Sequence, residues 1–208
     1  MKIGINKVIK TLILSDFFLQ SGWGLIGPIF AVFIIKNIHG GSLAMVGFAA
    51  ATYWIVKSIF QPFIAYFFDL KKGEKDDFKF LIVGMYIANL IPLGYLLSSQ
   101  IWQIFLLEFI RGLAMACVIP TWAGIFTRHI NKGWEAFSWS VESTAIGFAF
   151  GLAAAFGGLM ATILGFKTVF VLVSVFGLTA SSVLLLIRNQ IFPKDHFIPR
   201  VPPAEKPF

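Results

Sequence analysis

Charged residues and cysteines are scarce in this sequence. Only 13% of its 208 residues are charged, against about 25% in soluble domains, which excludes a water-soluble globular protein. The single cysteine, Cys117, excludes an intrachain disulfide and a cysteine metal cluster. His39, His129 and His196 fall outside the apolar segments, so no histidine pair within a membrane can bind a metal or act as a base. Nucleotide-binding and nucleophile motifs are absent as well, and we expect no enzyme, no metal site and no cofactor.

Apolar residues, in contrast, make up 58% of the sequence. A helix needs ~20 mainly apolar residues to cross the ~30 Å of hydrocarbon in a bilayer. Six such segments follow one another, at residues 11–35, 43–68, 78–98, 101–127, 136–164 and 166–187. They predict an all-α membrane protein whose residues 1–191 form one six-helix bundle. The proline-rich residues 192–208 are expected to be an irregular cytoplasmic tail, or a linker from a longer chain.

Basic residues are distributed unevenly between the two sides of this predicted bundle. Of the 17 lysines and arginines, most fall on one side: Lys2, Lys7, Lys10, Lys71, Lys72, Lys75, Lys79, Arg128, Lys132, Arg188, Lys194, Arg200 and Lys206. The opposite side has only Lys36 and Lys167. By the positive-inside rule, we expect both chain ends in the cytoplasm, in a multi-pass protein of the plasma or inner cell membrane. The net charge of +7 therefore reflects membrane topology, and we expect no nucleic-acid partner.

The first and fourth predicted helices share a short pattern. Asp16 to Phe18 in the first corresponds to Glu108 to Ile110 in the fourth, and a proline follows each at the same distance, Pro28 and Pro120. Three helices separate the two copies, so the copies cross the membrane in opposite directions. This pattern predicts an inverted repeat of three plus three helices, which is common in transporter folds.

The end of the second predicted helix resembles a motif of the major facilitator superfamily. In that family the helix ends in G-x-L-x-D-R-x-G-R-R at the cytoplasmic face, and here residues 65–75 read AYFFDLKKGEK. Asp69 matches the aspartate of the motif, and Gly73 follows one position later than its glycine. The resemblance implies that Asp69 and Gly73 take part in conformational gating.

Two further segments resemble antiporter motifs of the same family. Residues 108–116, EFIRGLAMA, fit the frame of R-x-x-Q-G in the fourth helix, with Glu108 at the arginine position and Arg111 at the glutamine position. Residues 149–158, AFGLAAAFGG, are small like G-x-x-x-G-P-x-x-G-G in the fifth helix, but lack its proline. The resemblance covers the whole chain as one six-helix half, whereas the usual chain of the family has twelve helices.

This resemblance implies that the chain is one half of a transporter that moves a small solute by alternating access. It also implies a proton or another ion as a coupling partner. Because six is an even number, two copies inserted alike have the parallel arrangement of two such halves, which predicts a homodimer. A different six-helix chain, or the rest of a longer chain, would otherwise supply the second half. The alternative from another class is a non-transporting scaffold or receptor module in the lipid bilayer.

Polar side chains within apolar spans mark the candidate pathway, because an ionised group there costs about 2.5 to 3.5 kcal/mol. The candidates for a solute or ion pathway are Asp16, Gln20, Lys57, Gln61, Glu108, Arg111 and Glu142. Glu108 and Arg111 are three residues apart on one helix and are expected to pair. One interpretation is that the pair only allows the helix to insert into the membrane. The other is that Arg111 faces the cavity and attracts an anion. Asp16 and Glu142 at similar depth also fit an intramembrane hydrolase, which we disfavour.

Lys57 lies near the middle of its span, from where a lysine cannot easily reach water. We expect either a change in its protonation or a carboxylate partner from another helix. Trp23 and Trp54 lie at a similar depth, where they either form an aromatic wall for an organic solute or face the lipid.

Overall fold

A computed structural model describes residues 5–70 and 74–192 of the chain. Helices make up all the regular structure of these residues, which confirms the predicted all-α class. They are α1 (Lys7–Ile26), α2 (Phe30–Asn37), α3 (Leu43–Leu70), α4 (Glu74–Leu97), α5 (Ile101–His129), α6 (Glu135–Leu184), a 3-10 turn (Leu185–Ile187) and α7 (Arg188–Ile191). Gly73 and the predicted tail beyond residue 192 lie outside the described residues.

Two helices, not one, make up the first predicted span. α1 begins after Asn6, whose side-chain oxygen accepts a hydrogen bond of 3.0 Å from the N–H of Ile9 and so caps the helix. It ends at Ile26, and α2 follows at an angle of 44°. Pro28 lies in this break, and proline disfavours a continuous helix because it lacks an N–H and clashes with the preceding turn. The prediction of one unbroken helix over residues 11–35 was therefore wrong.

α6 is also interrupted, at the position where the sequence predicted a boundary. With 50 residues it would measure about 75 Å as a straight helix, more than twice the hydrocarbon thickness. Gly165 has non-helical torsions, φ 79° and ψ 163°, and a positive φ of this kind favours glycine. We name the two segments on either side of it α6a (residues 135–164) and α6b (residues 166–184).

The contacts with α1 give the relative direction of α6a and α6b. From the start of α1 to its end, the neighbouring residues of α6a advance from Ala145 to Gly157. In the same direction along α1, the residue numbers of its neighbours in α6b decrease, from Ala180 to Val173. The two segments are therefore antiparallel, with the turn at Gly165.

Among residues 5–70 and 74–192, four helices are long and apolar enough to cross a membrane when α6 is counted once, and the bent pair of α1 and α2 would make a fifth. These helices differ in how much of their surface is buried inside the bundle. Within the most apolar window of each helix, 44% of α4 is buried inside the bundle but only 17% of α3. α3 thus presents most of its surface outward from this chain.

Buried apolar clusters fill both ends of the bundle. One cluster joins the start of α1 to the ends of α5 and α6b and includes Ile9, Phe126 and Leu184. The other joins α2 to the start of α5 and includes Ile34 and Ile104. The cavity described below lies between these two clusters.

Polar contacts join three helix termini at the end of the bundle that contains Ile9 and Phe126. The guanidinium of Arg128, in the last turn of α5, pairs with Glu74 and with Asp77 (2.7 Å) in the first turn of α4. The side-chain amide of Asn6, before α1, donates to the backbone carbonyl of His129 at 2.5 Å. We call this the basic end, because the described lysines and arginines that were predicted to be cytoplasmic lie in the helix termini and loops that meet here.

Candidate functional site

A cavity of about 510 Å³ lies midway along the bundle, between α1, α3, α5 and α6a. Small-molecule sites commonly have volumes of about 300–1,000 Å³. Five residues singled out from the sequence line it: Gln20, Trp23, Trp54, Glu108 and Arg111. The lining is mostly apolar, with its charged groups contributed by α5.

The predicted pair of Glu108 and Arg111 is formed on the cavity wall. Arg111 donates through Nε (3.0 Å) and a terminal nitrogen (2.5 Å) to the same oxygen of Glu108. The hydroxyl group of Tyr95, from α4, donates to the other oxygen. Glu108 is 1% exposed, so these donors replace the water that an ionised carboxylate would otherwise bind. The side chain of Arg111 remains partly accessible from the cavity.

Aromatic rings surround both cations of the site. The Arg111 guanidinium lies 3.8 Å from the ring centroid of Tyr53 and 4.6 Å from that of Trp23. The Lys57 ammonium lies 3.7 Å from the ring of Trp54 and 5.6 Å from that of Tyr53. All four distances are within the ~6 Å range of cation–π attraction.

Of the two alternatives expected for Lys57, a changed protonation or a carboxylate partner, the described residues do not supply the carboxylate partner. Within the described residues, its ammonium group forms no ion pair, and its recorded neighbours are the rings of Trp54 and Tyr53. Three and four residues separate Lys57 from these rings along α3, so one helix face supplies the contact. Trp23 and Trp54 both border the cavity, which agrees with the aromatic wall among the two alternatives for them.

Asp16 and Glu142 meet on the side of the cavity that faces the basic end. Their carboxyl groups are neighbours across α1 and α6a, close enough to act on each other. Two carboxyl groups at such close range disfavour the state in which both are ionised. One helical turn further along α1, Gln20 reaches the cavity lining.

The remaining predicted residues lie elsewhere. Gln61 is a half-buried residue of α3 outside the cavity lining, although it is one turn from Lys57. Asp69 is the penultimate residue of α3, at the basic end. The structure does not bring either of them to the cavity, and Gly73 is not described.

Tyr53 and Tyr95 are the site residues that the sequence analysis missed. Tyr53 carries both cations on its ring, and Tyr95 is fully buried with its hydroxyl group on Glu108. A buried tyrosine hydroxyl usually has a hydrogen-bond partner, so the tyrosines in apolar spans were a usable signal, although all four tyrosines of the sequence lie in such spans. Their partners lie on other helices, which spacing along one helix cannot identify.

The arrangement is suited to binding rather than to catalysis. Its carboxylate is occupied by Arg111 and Tyr95, and no nucleophile with an adjacent base lines the cavity. Across residues 5–70 and 74–192, no group of three or more histidine, cysteine, aspartate or glutamate side chains is positioned to hold a metal ion. What the cavity offers a ligand is the Arg111 guanidinium on an aromatic wall, and Lys57 lies outside the lining against two of the same rings, Tyr53 and Trp54.

Comparison with known proteins identifies a family and a fold. The family model described as Major Facilitator Superfamily matches residues 12–208. The in meso crystal structure of the POT family transporter PepTSo superimposes with a TM-score of 0.69 at 14% sequence identity, over 97% of this chain and 41% of that one. This chain thus spans less than half the length of that structure. No curated protein matches the sequence.

Proposed function

Because this chain belongs to the major facilitator superfamily, we propose that it is one half of a secondary transporter that moves a small solute by alternating access. The observation that carries the proposal is the cavity midway along the bundle, which gathers Gln20, Trp23, Trp54, Glu108 and Arg111 from three helices, α1, α3 and α5. Transporters of this type bind their solute near the bilayer midplane, between two halves. Family membership also agrees with the expectation that the chain is not an enzyme.

Six membrane spans are part of this proposal. The bent pair of α1 and α2 counts as the first span, α3 to α5 as the next three, and α6a and α6b as the last two. The antiparallel course of α6a and α6b and the break at Gly165 support this count. So does the meeting of basic termini at one end, which the positive-inside rule places in the cytoplasm. The inverted repeat of three plus three helices is also part of the proposal, and the pattern shared by residues 16–18 and 108–110 supports it.

A second half is required to complete the cavity. The likeness to PepTSo covers 41% of that chain, and α3 leaves most of its surface uncovered by this chain. We propose that a second, parallel copy supplies the other half, with the cavity on the shared two-fold axis. A different six-helix chain or the rest of a longer chain are the alternatives for the same position.

A proton is the coupling ion that the site supports best. Asp16 and Glu142 lie beside each other between α1 and α6a, next to the cavity, and two neighbouring carboxyl groups are suited to hold one proton between them. Movement of α6a relative to α1 would separate the two carboxyl groups and favour release of that proton. Candidate pathway residues are thus Asp16, Gln20, Lys57, Glu108, Arg111 and Glu142, with Gln61 one turn from the lysine.

Accessibility of the cavity from both sides of the membrane tests the proposal. A single cysteine is introduced at Ala50, which is exposed on the cavity wall, in a Cys117→Ala background. Alternating access predicts reaction with a membrane-impermeant maleimide in both right-side-out and inverted vesicles. Reaction from one side only would contradict it and favour the scaffold or receptor module. Uptake of a solute panel into liposomes, with Lys57→Met as the inactive control, then measures transport itself.

A further inference from the structure

Within the described residues, Lys57 is a cation close to the cavity that has no ion-pair partner. Arg111 and Glu108 offset each other, and Tyr95 donates to the second oxygen of Glu108. Lys57 contacts the rings of Tyr53 and Trp54 but forms no ion pair with a described carboxylate. The Asp16 and Glu142 carboxyl groups lie beside each other, closer to the basic end.

A nearby anion would stabilise the ionised form of Lys57 more than that of a lysine at the protein surface. Lys57 is 9% exposed and lies near the middle of an apolar span, where an ionised group without a partner is unfavourable. Ring faces stabilise a cation only in part, since a single cation–π contact is weaker than an ion pair in a dry site. The charged group that acts on Lys57 is Arg111, which repels it.

Arg111 has hydrogen-bond donors to spare at the cavity wall. A guanidinium carries five N–H groups, and the contacts with Glu108 run through Nε and one terminal nitrogen. Its flat face rests on Tyr53, the same ring that Lys57 approaches. Arg111 is therefore the cation within reach of a ligand in the cavity, with Lys57 close behind the wall, and the fork of an arginine matches a carboxylate or a phosphate.

The walls around Arg111 are aromatic. Trp23, Phe30, Trp54 and Phe150 line the cavity together with Tyr53. Rings of this kind take up an apolar body, while the charged groups fix its orientation. We propose that the solute of this cavity is a small organic anion, with its anionic group at Arg111, where Lys57 behind the wall adds positive charge, and its apolar or aromatic body on these rings. This inference rests on the proposed function and names its solute class.

Charged thiol reagents measure the sign of the field in the cavity without requiring the natural solute. The Ala50→Cys chain, with Cys117→Ala, is placed in lipid nanodiscs and treated with methanethiosulfonates of similar size carrying either a sulfonate or a trimethylammonium group. Each rate is divided by the rate of the same reagent with free 2-mercaptoethanol. We expect the anionic reagent to be favoured about tenfold. Lys57→Met should reduce this preference at least about threefold, and Lys57→Arg should retain it.

Lys36→Met is the matched control, because it also removes one positive charge. Lys36 is an exposed residue of α2, and the sequence places it on the side of the membrane opposite to the basic end. It should leave the preference unchanged. A preference for the cationic reagent, no preference, or an equal loss with Lys36→Met would overturn the inference. None of these results affects whether the cysteine reacts from both sides of a membrane, so failure of the solute class is distinguishable from failure of the transporter proposal.

Three ligands of similar shape test the organic body. Benzoate, benzamide and benzylamine, at equal concentrations, are compared for their ability to slow reaction of the same cysteine with an uncharged maleimide. Benzoate should protect, benzamide should protect about tenfold less, and benzylamine should not protect, because only benzoate supplies the anion. Equal protection by all three, strongest protection by benzylamine, or no protection by benzoate would each overturn the proposed solute class.

Discussion

Glu108 remains compatible with an apolar helix because donors surround both of its oxygens. Arg111 supplies two N–H groups from one turn further along α5, and Tyr95 supplies its hydroxyl group from α4. A buried ion pair of this kind contributes little net stability, but loss of one partner leaves an uncompensated charge that costs about 3 to 5 kcal/mol. The pair must therefore be tested as a unit.

Single and double replacements of this pair have opposite expected outcomes. Glu108→Leu and Arg111→Leu should each lower the melting temperature in detergent and the yield of folded protein, because each leaves one charge alone. The double variant should recover most of the loss. All three are made in a Tyr95→Phe background, so that no hydroxyl group is left without its acceptor. A double variant as unstable as the worse single variant would show that the pair has no such coupling.

The same residues show how far sequence reasoning reaches at this scale. The contact between Glu108 and Arg111 was predictable, because three residues along a helix bring side chains together. The contact of Glu108 with Tyr95 joins two helices, and the cation–π contacts of Lys57 replaced the expected carboxylate. Which face each helix turns to its neighbours decides such contacts, and that orientation is set by packing of the whole bundle.

At the scale of helices, glycines on both sides, Gly24 of α1 and Gly157 of α6a, allow α1 to approach α6a closely. A Cβ atom on Gly157 would lie 2.1 Å from the backbone carbonyl oxygen of Leu25, whereas one on Gly158 would meet no atom within 4 Å. Small residues allow membrane helices to pack closely. The two adjacent glycines therefore have different roles on one helix.

This difference gives a matched pair of variants. Gly157→Ala should separate α1 from α6a and destabilise the chain by about 1 to 3 kcal/mol, as overpacking does. Gly158→Ala should leave stability unchanged or raise it by up to about 1 kcal/mol through better helix propensity. Thermal unfolding in detergent, followed by size-exclusion chromatography, compares the two. Equal melting temperatures would contradict the close approach of the two helices.

Prolines explain why the helix boundaries could be predicted only in part. Four prolines lie within or between the apolar segments, yet α3, α4 and α5 continue through Pro62, Pro92 and Pro120. Only at Pro28, directly after Gly27, does a helix end. Membrane helices tolerate proline where neighbouring groups satisfy the freed carbonyl, so composition predicts the span but not the break. Gly165, in contrast, was recognisable as a boundary because segments on both sides are long enough to cross a bilayer.

At the scale of the whole molecule, the number of chains in the assembly decides whether one chain type can form the proposed transporter. We expect the purified protein in detergent or lipid to have twice the mass of the 23.1 kDa chain, and two differently tagged copies to purify together. Both sets of tags should be accessible from the same side of the membrane, because the two copies insert in parallel. A complex with an unrelated six-helix chain in native membranes, or a lone monomer, would contradict the homodimer.

Asp69 connects this assembly to the transport cycle. It lies at the end of α3, and α6a begins at Glu135 on the same, basic end of the bundle. In the resembled fold the second helix lies against the fifth helix of the opposite half, so the partner copy would place its α6a N-terminus near Asp69. A helix N-terminus carries about half a positive charge, and an acid beside it gains about 0.3 to 1 kcal/mol. This contact would form when the basic end is closed.

Removal of that charge should therefore favour the state that is open toward the cytoplasm. In Asp69→Asn, a cysteine at Gln20 should react with a thiol reagent about two to five times faster than in the parent, because the lost attraction no longer favours the closed basic end. A cysteine at Ile35 should react correspondingly more slowly. Gln20 lines the cavity toward the basic end, and Ile35 is exposed on α2 at the other end. Asp76→Asn is the control, because Asp76 pairs with Lys79 within α4 and has no expected role in closure. Unchanged labelling at both positions in an assembled dimer would mean that Asp69 marks only a loop that fixes topology.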